Sequence, residues 1–225
     1  MKRLIALLAT FLLCMALTDH AHAQACAPKL GSTIALRADS GKWLARCSGC
    51  QKSVNNIAPD SVTVSGSAPS GTALFKVVDA GGGKIGLQAD SGKYVARCSG
   101  CVPGAPLDML MVHSTKPWPI TLVAQANGKC GMLLDNGQFA GRCNDCSPGA
   151  TVADTVAVKY AKAANGYTQF EMKVISEFDP QSNQRCNDLI QKSPATRSVF
   201  AKVSPYYCCS DMARLKDRGI GPEKD

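Results

Sequence analysis

One pattern occurs three times along this chain, and it limits the possible folds more than any other feature of the sequence. Residues 35–50 read ALRADSGKWLARCSGC, residues 86–101 read GLQADSGKYVARCSGC, and residues 131–146 read GMLLDNGQFAGRCNDC. Such repetition indicates one supersecondary unit used three times, because a single unit cannot bury its apolar face alone. We expect units at about residues 30–80, 81–125 and 126–176.

Each copy reads as two strands joined by a tight turn. The turn is Asp39-Ser40-Gly41 in copy one, and the order Asp-x-Gly returns at Asp90 and Asp135. Asp bonds to the backbone of such turns, and Gly takes the positive φ that they need. Alternating segments predict two further strands per unit, at 61–65 and 73–78, 108–112 and 120–123, and 155–158 and 170–174. Four short strands per unit, with no segment of helical period, predict an all-β closed architecture.

The string L-x-A-D-S-G-K-[WY]-[LV]-A-R in copies one and two resembles the repeat of the fascin-like β-trefoils. The resemblance covers about residues 30–176 and is specific in those two copies. Copy three departs from it at Leu134 and at Gln138-Phe139-Ala140. The resemblance implies a β-trefoil with a pseudo-three-fold repeat that serves as a scaffold for binding, as fascins bind actin filaments. The Gln-x-Trp signature of ricin-type sugar-binding trefoils is absent.

The N-terminus is typical of a secretory signal. Lys2 and Arg3 precede an apolar run that ends at Leu17, and Ala-His-Ala at 21–23 offers a cleavage site. The run is shorter than the roughly 20 residues that a membrane-spanning helix needs. We therefore predict a signal peptide at 1–23, a trefoil at 24–176, and a secreted or periplasmic location. Lipidation at Cys26 is the minority alternative.

Residues 177–225 lie beyond the last copy. They hold Pro180, Pro194 and Pro205 together with three cysteines, and they end in a charged run. We predict a C-terminal extension tied to the trefoil by disulfides, with a short helix at 210–218.

Eleven of the twelve cysteines lie after the predicted cleavage site. In an exported chain this number favours disulfides, and each Cys-x-x-Cys pair (Cys47 and Cys50, Cys98 and Cys101, Cys143 and Cys146) is predicted to close on itself. Redox and zinc roles are the alternatives, and each is disfavoured because every pair follows a predicted strand in an oxidising compartment. The five remaining cysteines can form two further bridges and leave one free thiol; they are Cys26, Cys130, Cys186, Cys208 and Cys209. In one possible arrangement, Cys26 and Cys130 each bond to a cysteine of the extension.

Two sets of repeated side chains are candidates for ligand binding. Arg46, Arg97 and Arg142 precede the Cys-x-x-Cys pairs, and together with Lys42 and Lys93 they could recognise anions; the alternative is salt bridges to nearby Asp. Trp43, Tyr94 and Phe139 share one position in the repeat. They could stack on sugar rings, and the alternative is packing beneath their own hairpins.

The sequence contains little that indicates catalysis. His113 is the only histidine after the cleavage site, and no hydrolase, metalloprotease or nucleotide-binding motif is present. The net charge of +8 is dispersed, without a Lys/Arg run, which argues against nucleic-acid binding. We predict a non-enzymatic binding module without cofactor or metal, whose partner is an extracellular or periplasmic glycan or protein. The alternatives are a protease inhibitor that uses the loop Val102–Pro106, and a structural surface protein linked through the cysteines of its extension.

Overall fold

Short antiparallel strands make up the computed structural model, which describes residues 26–105 and 108–177. The predicted signal peptide, Pro106, the extension with its predicted helix and Cys186, Cys208 and Cys209 lie outside the described residues. The strands of the described part are β1 (Thr33–Arg37), β2 (Trp43–Ser48), β3 (Asp60–Gly66), β4 (Phe75–Gly81), β5 (Lys84–Gln88), β6 (Tyr94–Cys98), β7 (Asp108–Ser114), β8 (Thr121–Ala124), β9 (Cys130–Leu133), β10 (Phe139–Asn144), β11 (Asp154–Tyr160) and β12 (Glu171–Ser176).

Helical structure in the described residues is limited to three 3-10 turns, at Val54–Asn56, Gly71–Ala73 and Gly166–Thr168. None of these has the length or apolar composition of a membrane-spanning helix.

Six strands form a closed barrel. Antiparallel ladders join β12 to β1, β1 to β4, β4 to β5 and β8 to β9. Two isolated bridges complete the ring: Ile85 pairs with Ile120 just before β8, and Cys130 pairs with Phe170 just before β12. Closure leaves this barrel without a free edge, which removes a site where another chain could add as a strand.

The other six strands form three hairpins, β2–β3, β6–β7 and β10–β11, which cap one end of the barrel. The second strand of each hairpin pairs with its two counterparts in equivalent register, at Ser61 and Met111, Met109 and Ala157, and Thr155 and Thr63. Each hairpin also has its bulge at the same place, directly after Trp43, Tyr94 or Phe139. A six-stranded barrel capped by three hairpins is the architecture of a β-trefoil.

The Asp-x-Gly turns connect barrel to cap as the sequence predicts. Gly41, Gly92 and Gly137 have φ of +80°, +80° and +75°. A non-glycine residue avoids this left-handed conformation, so the glycine of each turn has a direct structural reason. Each turn begins with an aspartate and places the side chain of that aspartate against the neighbouring copy.

The main core fills the barrel. Phe75, Ile120 and Phe170 enter it from one equivalent position per copy, and Leu36, Leu87 and Met132 from another, all with at most 1% exposure. Full burial of side chains of this size stabilises the fold by about 1.5–3 kcal/mol each. A second cluster lies on the face of β7 and β11 that points away from this core, where Cys98, Cys101 and Cys143 pack with Met109 and Met111.

Four disulfides are present in the described residues. Each Cys-x-x-Cys pair is bonded to itself, and no such pair lies in a helix. Cys26 is bonded to Cys130, so the arrangement in which both bridge to the extension is wrong. The N-terminal segment lies beside the start of β9, where the two Cα atoms are 5.6 Å apart, within the distance that a disulfide spans.

Candidate functional site

The three arginines of the repeat each contact two aspartates. Arg46 donates from Nε and Nη2 to both carboxylate oxygens of Asp90, over 2.5 and 2.8 Å, and from Nη1 to Asp60 over 3.0 Å. Asp60 belongs to the same copy as Arg46, whereas Asp90 opens the turn of the next copy. A side-on, two-bond contact of this kind is the strongest geometry available to guanidinium and carboxylate.

The same contacts recur in the other copies. Arg97 donates to Asp135 over 2.8 and 2.7 Å and to Asp108 over 2.8 Å. Arg142 donates to Asp39 over 2.6 and 2.9 Å and to Asp154 over 3.0 Å. Copy one thus contacts copy two, copy two contacts copy three, and copy three contacts copy one. We call the nine residues the arginine ring: Arg46, Arg97, Arg142, Asp39, Asp60, Asp90, Asp108, Asp135 and Asp154.

The arginines lower the pKa of the three turn aspartates of the ring. Hydrogen bonds from Arg142, Arg46 and Arg97 hold the pKa of Asp39, Asp90 and Asp135, respectively, below the ordinary value, against the opposing effect of burial. The same bonds raise the pKa of the arginines.

The arginine ring contains the three arginines of the predicted anion site. Each guanidinium already faces two carboxylates, and the arginine side chains are only 17–23% exposed. This is the salt-bridge arrangement that the sequence left open as an alternative. Lys42 is exposed and Lys93 is half-buried, and neither takes part in the arginine ring. Anion binding at these five residues stays a prediction.

The repeated aromatic position lies mainly inside the hairpins. Trp43 is 8% exposed and packs with Ala35, Ala45 and Ala73, while Tyr94 and Phe139 are half-buried. In copy three, a Cβ on Gly131 would lie 3.0 Å from the Phe139 ring, so the glycine makes room for the aromatic. The packing alternative therefore describes Trp43. Sugar stacking by this trio stays a prediction.

Sequence reasoning missed a set of aromatics outside the repeated string. The loop between the third and fourth strand of a copy runs beside the turn of the next copy. There the Trp118 Nε1 donates to Asp135 over 3.1 Å, and Gly166 lies beside Asp39. Tyr160 and Tyr167 flank Gly166 in copy three. These aromatic residues lie at positions where the three copies differ. A search for residues that all copies share therefore does not find them.

Tyr160 and Tyr167 lie together on the surface of copy three. Their ring centroids are 5.1 Å apart with a tilt of 55°, and both residues are half-buried, as Tyr94 and Phe139 are. The Asn165 side-chain amide donates to the Tyr167 hydroxyl, and the Lys159 ammonium lies 5.3 Å from the centre of the Tyr160 ring. Burial, and then Tyr167, raise the pKa of Tyr160, so its hydroxyl stays protonated at neutral pH. We call Tyr160, Tyr167, Lys159 and Asn165 the tyrosine face.

His113 lies on β7, one residue before the partner of Tyr94. Its Nδ1 is buried without a hydrogen-bond partner, and burial followed by the charge of Lys93 lowers its pKa. The imidazole is therefore neutral at physiological pH. Within residues 26–105 and 108–177, no three side chains of the metal-ligating types His, Cys, Asp and Glu lie close enough to hold an ion.

Two further features complete the surface. The loop suggested for protease inhibition begins at Val102, which is 3% exposed, and continues through exposed Pro103 and Gly104; inhibition stays a prediction. A cleft of about 330 Å³ lies between the N-terminal segment and the β4–β5 hairpin. Its walls include the apolar side chains of Leu30, Ile85 and Leu122, and its polar groups include Asp79 and Lys84.

No protein-family model matches the chain, and no curated protein matches it. Solved structures with a similar fold include a Polyporus squamosus lectin bound to a human-type influenza-binding epitope, with 14% identity, 65% of this chain covered and a TM-score of 0.45. The match spans 50% of that lectin.

Two other similar structures are matched over nearly their full length. A Macrolepiota procera ricin B-like lectin in complex with lactose has 13% identity over 65% of this chain and 97% of its own, with a TM-score of 0.46. The Rhizoctonia solani agglutinin has 15% identity over 65% and 96%, with a TM-score of 0.47. All three scores lie below 0.5.

Proposed function

We propose that the protein is an exported, non-enzymatic binding module whose ligand is a glycan or another anionic extracellular molecule. One observation supports the proposal above the others. The three copies share the arginine ring, the Asp-x-Gly turn and the packed aromatic, yet the surfaces beside the ring differ from copy to copy. A constant frame with variable side chains at equivalent surface positions is the pattern expected of a binding scaffold.

The variable positions carry side chains suited to sugars. Copy one has Gly71 and Thr72 at this surface, copy two has Trp118, and copy three has the tyrosine face. Aromatic rings with a polar tip offer an apolar surface together with hydrogen-bonding groups, which matches the alternating faces of a sugar ring. Residues 24–225, without Lys2, Arg3 and Asp19 of the +8 full chain, carry a net charge of +7, which favours anionic ligands by long-range attraction.

The frame around these surfaces favours binding because it is already ordered. The arginine ring ties each hairpin to the turn of the next copy, and each Cys-x-x-Cys disulfide fixes the turn of its own hairpin, so little conformational freedom is lost when a ligand binds. The disulfides also support export, since such bonds persist in oxidising compartments. Membership of the fascin-like family remains part of this proposal, supported by the repeat string of copies one and two.

The proposal is tested with residues 24–225, produced in an oxidising compartment and applied to an array of neutral and acidic glycans. We expect saturable binding to a subset of them, weakened by added salt if the ligand is anionic. Each bound oligosaccharide is then incubated with the protein and analysed by mass spectrometry. Absence of binding to every glycan and to every protein of an extracellular extract would contradict the binding role, and cleaved products would contradict the non-enzymatic role.

A further inference from the structure

We propose that the tyrosine face binds an acidic sugar, with a pyranose ring stacked on the two tyrosines and its acidic group held by Lys159. This inference rests on the proposed function and gives it a site and a ligand class.

The two rings form one angled aromatic surface. Tyr160 is the last residue of β11, opposite Phe139, and Tyr167 is the middle residue of the 3-10 turn 166–168. Centroids 5.1 Å apart and tilted by 55° place the two rings in contact with each other, so that one sugar ring could reach both. The hydrogen bond from Asn165 to the Tyr167 hydroxyl fixes the orientation of the second ring. A preset aromatic surface of this kind costs a ligand little ordering entropy.

Copy three has a glycine in place of an alanine, and this smaller residue accommodates Tyr160. Gly141 stands where copies one and two have Ala45 and Ala96. A Cβ at Gly141 would lie 2.6 Å from Cε2 of Tyr160 and 2.9 Å from Cγ2 of Thr168, which is closer than atoms in contact approach. The smaller residue in this one copy therefore makes room for the tyrosine ring.

The other copies fold without these tyrosines. Gly66 and Ser114 occupy the pairing position of Tyr160, and Thr72 is the middle residue of the turn that corresponds to Tyr167. The trefoil frame therefore does not require aromatic rings here. Tyrosine rings that reach the surface at positions where the other copies have no ring are the residues that we expect to contact a ligand.

The charge beside the rings sets the class of sugar. Arg142 and Asp39, the nearest part of the arginine ring, already pair with each other. Lys159 is exposed and makes no ion pair among the described residues, and its ammonium lies 5.3 Å from the Tyr160 ring. A ligand ring on this surface would bring a carboxylate or sulfate substituent within reach of that ammonium. Uronic acids and sulfated sugars share this chemistry.

The test uses residues 24–225 and two matched pairs of probes in isothermal titration calorimetry. One pair is hexagalacturonate and its methyl ester, and the other is sulfated and unsulfated maltohexaose. We expect the wild-type chain to bind at least one acidic probe more tightly than its neutral partner. The pair that shows this preference identifies the source of the charge, carboxylate or sulfate.

Two variants and one control locate the site. Tyr167→Ala should weaken binding of the acidic probe about tenfold through lost ring contact, and Lys159→Gln should reduce its affinity to that of the neutral partner. Thr72→Ala, the counterpart of Tyr167 in copy one, should leave affinity unchanged. Lys159 is exposed, so Lys159→Gln keeps the test valid even if Tyr167→Ala unfolds, which thermal denaturation would show.

The outcomes separate the two proposals. Wild-type binding to an acidic probe that survives both substitutions within twofold would overturn the tyrosine face and leave the proposed function standing. Equal affinity for the acidic and neutral probes, or no binding to any of the four while other glycans bind on the array, would also overturn the inference alone. Absence of binding both here and on the array would count against both.

Discussion

Arg46, Arg97 and Arg142 show why the identity of a cation matters at a junction between repeats. Each must bond to a carboxylate in its own copy and, side-on, to another in the next copy, as Arg97 does to Asp108 and Asp135. Guanidinium has a planar fork of donors that reaches both at once, whereas an ammonium acts as a point charge. Because the side chains are about four-fifths buried, these pairs contribute more than freely exposed ion pairs do.

Replacement of Arg97 by Met should lower the free energy of unfolding by about 2 kcal/mol, because Asp108 and Asp135 would remain partly buried without a cation. Lys29→Met is the control, since the Lys29–Glu177 pair is 70% and 63% exposed and should contribute less than about 1 kcal/mol. Urea denaturation measures both changes. Equal losses in the two variants would show that burial of the ring pairs has no energetic effect.

Acid should destabilise the fold through the turn aspartates. The pKa of Asp39, Asp90 and Asp135 is lower in the folded chain than the ordinary value of about 3.9. Their contribution to stability is therefore complete above that value and is lost as the pH falls through the folded-state pKa. We expect the melting temperature to stay level on acidification to about pH 5 and to fall steeply below pH 4.

The Arg97→Met chain offers a comparison for this pH dependence. With its partner gone, Asp135 should titrate nearer its ordinary pKa, so the acid-induced fall should be shallower than in the wild-type chain. Parallel acid curves for the two chains would contradict the assignment of the effect to the arginine ring.

The pairings of the arginine ring could not be predicted from the sequence. The order Arg-Cys-x-x-Cys indicates where each arginine lies on its hairpin, but the partner of Arg142 is Asp39, 103 residues away. The sequence thus identified Asp39 as a turn residue and Arg142 as an anion-site candidate without showing that the two meet. Only the closing of copy three onto copy one brings them together.

Among the elements, the strands were predictable because their pattern is local. Alternation of apolar and polar residues places strands near 61–65, 108–112 and 155–158, within β3, β7 and β11. The fourth strand of copy one was predicted at 73–78 but begins at Phe75, because Gly71–Ala73 form a 3-10 turn first. Short apolar runs do not specify which of their residues belong to a preceding turn.

Gly86 in β5 illustrates how tightly the loops lie on the barrel. A Cβ there would lie 2.8 Å from Cβ and 3.1 Å from Cα of Pro117. Gly86→Ala should therefore cost about 2 kcal/mol of stability, because part of the obstruction is backbone. Gly166→Ala is the matched control, since its nearest neighbour would be 3.6 Å away, at ordinary contact distance. Chemical denaturation that found the two variants equally stable would contradict the close approach.

For the whole molecule, the two kinds of disulfide should differ in effect. Cys26–Cys130 joins residues 104 apart in sequence, whereas Cys47–Cys50 joins residues three apart. In the chain-entropy model, loss of the first costs about 5 kcal/mol and loss of the second about 2 kcal/mol. Paired Cys→Ser substitutions avoid free thiols in both cases, and thermal denaturation should rank them in this order. A larger loss for the Cys47 and Cys50 pair would contradict the loop-length explanation.

The distribution of the cysteines predicts the thiol content of residues 24–225. Four disulfides in the described residues leave Cys186, Cys208 and Cys209, which is an odd number. Alkylation of the denatured, unreduced chain should therefore modify one thiol per monomer, or none in a disulfide-linked dimer that electrophoresis separates. Three modified thiols would show that the extension contains no disulfide.

Closure of the trefoil was predictable from the threefold repeat, whereas the Cys26–Cys130 bond was not. Repeats also stack into open solenoids, and it is the four short strands of each copy that favour closure into a barrel. The five cysteines outside the repeat carried no such constraint, and their sequence positions fit several pairings equally well. The tyrosine face was not predicted because its residues occur in copy three alone, whereas the sequence prediction used residues that the copies share.

The head-to-tail order of the arginine ring has a bearing on synthesis. A nascent chain that has produced copies one and two can form the contacts from Arg46 to Asp90 and from Arg97 to Asp108, but Asp135 and Arg142, the side-on partners of Arg97 and Asp39, are not yet made. The arginine ring therefore closes only when copy three has been synthesised. Two copies therefore leave Arg97 and Asp39 without their side-on partners, and the third copy supplies both.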